Sequence, residues 1–135
     1  MKTLISFFLI LFCSIYSFGQ DRWTVQLNSN TLLTAKKEDT ASNIITVKNL
    51  KKGSLIITYL QATPREGFAR RLMVYDAMDN ELYSKEALNI VIPVATLKKW
   101  KQTNTSIKVY TVPISKDPRI KLKVRRVHLC TIKFE

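Results

Sequence analysis

Residues 22–27, RWTVQL, alternate strictly between apolar and polar positions. Trp23, Val25 and Leu27 fall on one side, and Arg22, Thr24 and Gln26 on the other. A period of two is the mark of a half-buried β-strand. After a charged, small-residue stretch at 34–43 that reads as a loop, two β-branched runs follow, NIITVKN and SLIITYL. Between them LKKGS carries Gly53, so the pair reads as a hairpin. Residues 61–69 hold Pro64 and Gly67 and read as a loop. RRLMVYD and ELYSKE flank AMDN, which predicts a second hairpin with Asp79 and Asn80 at its tip. LNIVIPV predicts a further strand, ending near Pro93.

The helical period appears once. Val94, Leu97 and Trp100 recur every three residues and predict one short helical turn over residues 94–101. TSIKVYTVPI then reads as a strand and SKDPR as a turn. The final strand is expected from about Leu122 to Phe134. Seven to eight close-spaced strands and no long amphipathic helix predict an all-β fold: one antiparallel β-sandwich, immunoglobulin-like or related, spanning residues 20–135. With only three glycines, a tight barrel with Gly corners fits less well.

The first nineteen residues do not belong to this pattern. MKTLISFFLILFCSIYSFG has one charge, Lys2, then an apolar run, then Ser17 and Gly19 at positions −3 and −1 of a cut before Gln20. That is the layout of a secretory signal peptide. The run is shorter than the roughly 20 residues of a membrane-spanning helix. Cys13 follows Phe12, whereas lipid attachment wants a small residue there. The expected location is therefore outside the cytoplasm, in a periplasm or beyond the cell, with no transmembrane helix in the mature chain. About 115 residues suffice for one core without disulfides, and after cleavage only Cys130 remains to form one.

Charge changes the picture more than any other compositional fact. The chain has 22 Lys and Arg against 10 Asp and Glu, a net +12, and loses only Lys2 with the signal. A basic surface favours anionic partners: an envelope polysaccharide, a lipopolysaccharide or an acidic protein. For an exported protein nucleic acid is not the expected partner. The charge also serves plain solubility, and both readings stand. Acids gather between Asp76 and Glu86, which would suit contact with a basic surface, including a second copy; the oligomeric state is left open.

The end of the chain, VRRVHLCTIKFE, holds the single histidine and the single cysteine of the mature chain. On a regular strand His128 and Cys130 share a face. Cys130 would share it with Val124, Ile132 and Phe134, a core face, and free cysteine is commonly buried. Two ligands are too few for zinc, a blue-copper site needs a second histidine, and a pairing with Met73 has no support in spacing. No metal or other cofactor is expected, and His128 is placed at the border of the core. The opposite face carries Lys121, Lys123 and Arg125, a basic row with steps of roughly 7 Å that could meet a charged polymer. Such lysines also protect edge strands. A bulge at Arg125-Arg126 would switch the faces.

In LKKWKQ, Trp100 stands among Lys98, Lys99 and Lys101, a mixture suited to sugars or a membrane interface, although its alignment with Val94 and Leu97 favours a lid on the core. Lys36-Lys37, Lys51-Lys52 and Arg70-Arg71 read as solvated pairs. Asn104-Thr105-Ser106 fits an N-glycosylation acceptor, and Asp39-Thr40-Ala41 resembles a bacterial O-glycosylation tripeptide. A lone histidine without a neighbouring Ser or acid excludes most triads. Asp76 and Glu81 offer a carboxylate pair, but a sandwich this small leaves little room for a cleft. The expectation is a non-catalytic binding protein that recognises an anionic partner through Lys121, Lys123 and Arg125, with Lys98 and Trp100. The second reading is an assembly component that pairs through a sheet edge.

Overall fold

The computed structural model describes residues 19–135. The expected signal peptide lies outside the described residues, except for Gly19. Nine strands run in chain order: β1 Arg22–Leu27, β2 Asn30–Ala35, β3 Ile44–Val47, β4 Ser54–Leu60, β5 Phe68–Asp76, β6 Glu81–Glu86, β7 Asn89–Pro93, β8 Ser106–Ser115 and β9 Val127–Phe134. Among the described residues a single helix, α1 Val94–Lys101, separates β7 from β8. The strands form a four-stranded sheet, β2-β1-β4-β7, and a five-stranded sheet, β3-β9-β8-β5-β6. Among the described residues no helix is long and apolar enough to cross a membrane.

Both sheets turn one face into a common core. Trp23 and Val25 of β1, Leu55, Ile57 and Tyr59 of β4, and Ile90 and Ile92 of β7 meet Leu72 and Val74 of β5, Ile107 and Val109 of β8 and Ile132 of β9. The alternation in the sequence is thus cashed in at every second position. Each fully buried Leu or Ile contributes about 1.5–3 kcal/mol, and among the described residues no disulfide adds to this, because Cys130 is free and buried. Leu97 of α1 is completely buried and Trp100 packs against the cluster from outside, so α1 covers part of the core. The Nε1–H of Trp23 donates to the Leu129 carbonyl at 2.9 Å, a bond from one sheet to the other.

Several local expectations change. β2 was not visible in the pattern because it is an edge strand exposed along most of its length. NIITVKN and SLIITYL do not form a hairpin. β3 lies in the five-stranded sheet and pairs parallel with β9, whereas β4 lies between β1 and β7. The connection at Gly53 (φ 107°) serves a different purpose. A Cβ there would lie 1.6 Å from Oδ1 of Asn28, whose side chain accepts from the Ser54 amide and donates to the Lys52 carbonyl. Gly53 is therefore needed to bring the β1–β2 turn against the start of β4. The β5–β6 hairpin is present, with Asp79 in the left-handed region at φ 65°.

The last strand begins at Val127, not near Leu122. β8 pairs with β9 only from Ser106 to Thr111, although β8 itself continues to Ser115 along β5. Pro113, two residues beyond the end of that ladder, has no N–H to extend it. Residues 120–126 run on without joining a sheet.

Candidate functional site

The five residues singled out in the sequence do not assemble into one surface. Lys121 and Lys123 are exposed on the unpaired segment. Arg125 is occupied internally: its Nη2 lies 2.7 Å from Oε2 of Glu38, and its Nη1 donates to Oε1 at 3.0 Å. That hydrogen bond, with another from the His128 backbone N–H, holds the Glu38 carboxyl below its usual range. Lys98 and Trp100 sit on α1, before the start of β8, while residues 120–124 follow its far end. Ten residues of strand separate the two groups by roughly 30 Å, at about 3.3 Å per residue. Lys98 Nζ donates to the Lys51 carbonyl at 3.3 Å. The contiguous row of three cations is therefore reduced to Lys121 and Lys123, because its strand stops short and Glu38 takes the third.

His128 and Cys130 also part company. The β8–β9 register pairs Val109 with Cys130 and Tyr110 with His128, with a bulge at Leu129 between them. Val109 and Tyr110 are successive residues on opposite faces, so His128 and Cys130 face opposite ways. Cys130 lies in the core, and burial pushes its thiol up to about 12. His128 packs edge-on against the Tyr110 ring, and its Nε2 is 2.8 Å from Oγ1 of Thr131. It is buried rather than at the border, and Nδ1 has no partner. Burial lowers its basicity, against the pull of the Glu38 carboxylate. Beside it, Arg126 lies over Tyr75 and Tyr110, with its guanidinium carbon 4.4 and 4.3 Å from the ring centroids, and is ion-paired with Asp79. Among the described residues no three His, Cys, Asp or Glu side chains gather as metal ligands. The Asn104 side chain donates to the Trp100 carbonyl at 2.9 Å, so glycosylation there would have to break that bond.

A further site lies around Arg70, on the inner side of the five-stranded sheet from Arg126 and His128. Arg70 is not, as the sequence predicts, half of a solvated pair with Arg71. It instead shares the inner face of β5 with Leu72 and Val74, and its side chain is only 15% exposed. The guanidinium carbon sits 4.5 Å from the centroid of Tyr59. Its hydrogen bonding is poor: Nη1 donates to Oγ1 of Thr111 at 3.3 Å, and Nε has no partner. Asp21 is 4.0 Å away, but its carboxylate accepts primarily from the Tyr59 hydroxyl at 2.6 Å and the Ala62 amide at 2.8 Å. Burial and that carboxylate together raise the Tyr59 phenol well above its usual range.

Arg70 lines a cleft of about 300 Å³ together with Arg65, Phe68, Pro113, Leu122 and Val124. Arg65 is exposed and lies over the Phe68 ring at 4.8 Å. A second cleft of about 410 Å³ shares Arg65, Phe68 and Arg70 and adds Lys116, with Glu66 and Glu86 on its wall. A guanidinium has five N–H donors, and buried donors are normally satisfied. Arg70 in this cleft is therefore equipped to accept a carboxylate or a phosphate in bidentate fashion. The apolar wall of Phe68, Leu122 and Val124 would receive whatever carries the charge. The usable sequence signal was parity: Arg70 is two residues before Leu72, so an inner face at Leu72 implied an inward Arg70.

The chain matches no family model, no curated protein and no solved structure.

Proposed function

We propose that this is an exported, non-catalytic binding protein that recognises an anionic partner, with Arg70 as the anchor and Arg65, Lys121 and Lys123 around it. The observation that carries this reading is Arg70 itself, a largely buried cation facing a cleft with one long hydrogen bond. The wider charge agrees. Among the described residues, ion pairs occupy Lys48, Arg119, Arg125 and Arg126, and Arg70 only at the 4.0 Å separation from Asp21, which leaves most of the lysines and arginines without one. Export rests on the amino-terminal pattern of the sequence. The immunoglobulin-like assignment belongs to the same proposal. It is supported by β1, β4 and β7 as neighbours in one sheet and by β9, β8, β5 and β6 in the other, an order like that of A, B, E against G, F, C, C′.

The test is retention on heparin-like and carboxylate-bearing polymers over a salt gradient. Binding should fall steeply with ionic strength and should weaken severalfold in Arg70→Gln and in the Lys121→Gln/Lys123→Gln double variant. Retention indifferent to salt, or unchanged in both variants, would sink the reading. The second reading, assembly through a sheet edge, draws on β7, an edge strand of its sheet with Val91 52% exposed. It predicts a defined oligomer in light scattering, and a monomer at high concentration would count against it.

A further inference from the structure

The anion cleft opens directly onto an unfinished sheet edge. From Val112 to Ser115, β8 pairs with β5 on one side and has no strand on the other, because β9 stops at its partner Thr111. Alongside runs a groove of about 330 Å³, walled by Val112, Ile114, Ile120, Leu122 and Val124. The apolar side chains on its outer wall are not packed away: Ile120 is 50%, Leu122 36% and Val124 49% exposed. Pro113, Leu122 and Val124 line both the groove and the Arg70 cleft, so the two are continuous.

We infer that this groove takes an extended peptide as an added strand on β8, with a carboxylate of that peptide seated on Arg70. An incoming strand finds backbone partners on the open edge, which is the general basis of strand addition. Its side chains alternate, so one set meets Val112 and Ile114 while the other faces inward. Pro113 can accept through its carbonyl but cannot donate, so the added ladder lacks one bond at that point. Charge supplies the selection. The inward end of the groove presents Arg70 and Arg65 against a single carboxylate, Asp21, which is itself tied to Tyr59 and Ala62, so a peptide bearing a carboxylate there is favoured over a neutral one. The carboxylate can come from a C-terminus or from an inward-facing acidic side chain. Lys121 and Lys123, alternating with the apolar wall, favour an acidic chain further. This inference rests on the reading of Arg70 as an anion site and adds the identity of what bears the anion.

The experiment is a titration of the uniformly ¹⁵N-labelled protein, followed by amide and arginine Nε–H signals. Four probes are used: sodium propionate, an acetylated alternating Thr/Val hexapeptide with a free C-terminus, the same peptide amidated, and an amidated version with one central Glu. Alternation from the bond between the Lys116 amide and the Gly67 carbonyl turns the Ser115 N–H to the open edge. The expected result is that the free acid, the Glu peptide or both shift the Ser115 amide together with Nε–H of Arg70, and that the neutral amide binds at least tenfold more weakly. Which of the two succeeds identifies the source of the carboxylate. If propionate moves Arg70 but no peptide moves the Ser115 amide, strand addition fails while the anion site stands. If nothing moves Arg70, both fail. Equal binding of neutral and acidic peptides overturns the role of the carboxylate. Shifts of the Ser115 amide with protein concentration alone give the edge to a second copy and overturn the peptide.

Discussion

Arg70 and Tyr59 form a cation–ring contact of 4.5 Å between strands of opposite sheets. The same tyrosine ring stacks on Trp23 at 6.0 Å and its hydroxyl is tied to Asp21. Arg70 is thus held from behind by aromatic packing at the wall of the cleft. This separates stability from binding. Removing an under-bonded, largely buried charge need not destabilise a protein, since its desolvation cost disappears with it. Arg70→Met should cost no more than about 1 kcal/mol in denaturant unfolding, the worth of the Tyr59 cation–ring contact it gives up, yet lose anion binding. Arg70→Lys should keep the charge and still bind severalfold more weakly, because an ammonium lacks the planar fork. Calorimetric titration alongside the unfolding curves separates the two effects.

Arg126 should behave in the opposite way. It spans Tyr75 and Tyr110 and reaches Asp79 at the β5–β6 turn. These contacts fasten the segment before β9 to the outer face of the five-stranded sheet. Cation–ring contacts at partly exposed sites contribute about 0.5–1 kcal/mol each, so Arg126→Ala should lower stability by about 1–2 kcal/mol. Leu122 and Val124 of the same segment wall the Arg70 cleft, so any loss of anion binding should be small beside that of Arg70→Gln, and an equal loss would show that the segment's position, not Arg70, carries the binding.

His128 supplies a pH dependence. It is buried with its basicity lowered, chiefly by desolvation. The groups around it are Glu38, which favours the charged form, Lys108, which opposes it, and the uncharged Tyr110 and Thr131. In the unfolded chain His128 takes a proton near its ordinary value of about 6.5, and in the fold it does so only at lower pH. Its stabilising contribution is therefore complete above about 6.5 and declines as pH falls toward the folded value, by at most about 1.4 kcal/mol per pH unit. Unfolding midpoints at pH 7.5 and pH 5 should differ accordingly. His128→Gln should flatten the difference, and an unchanged slope would assign it to other groups.

Cys130 should be silent toward thiol reagents in the native protein, because burial removes the thiolate as well as the access. Labelling should follow the kinetics of unfolding. Cys130→Ser places a hydroxyl in an apolar site and should cost about 1–3 kcal/mol. Rapid native labelling would contradict the core position.

How far the sequence disclosed this depends on whether a residue's environment repeats along the chain. Trp23 and Val25 were legible because alternation and burial coincide on β1. Val94, Leu97 and Trp100 marked α1 for the same reason at a different period, and Asp79 announced the β5–β6 turn. β2 gave no signal because four of its six residues are exposed and only Leu33 and Ala35 reach the core. The bulge at Leu129 left no local mark. It follows from pairing with β8, and one extra residue reversed the relation between His128 and Cys130. Similarly, whether Arg125 is available depends on Glu38, which is remote in sequence and adjacent only in the fold. Arg70 was hidden by its neighbour: two adjacent arginines look alike in a sequence, although on a strand one must face inward when the other faces out.

The parallel pairing of β3 with β9 has a consequence for the order of events as the chain folds. Ile44 opposes Thr131 and Val47 opposes Phe134, so β3 has no partner until β9 has been made and laid against β8. The β1–β2 and β5–β6 hairpins can form early from neighbouring residues, whereas the β3 edge of the five-stranded sheet must wait for a closure across most of the described chain. Contacts this remote in sequence slow folding. Until that closure, Ile45 and Val47 remain uncovered, and this interval is when the newly made chain is most exposed to aggregation or to a chaperone.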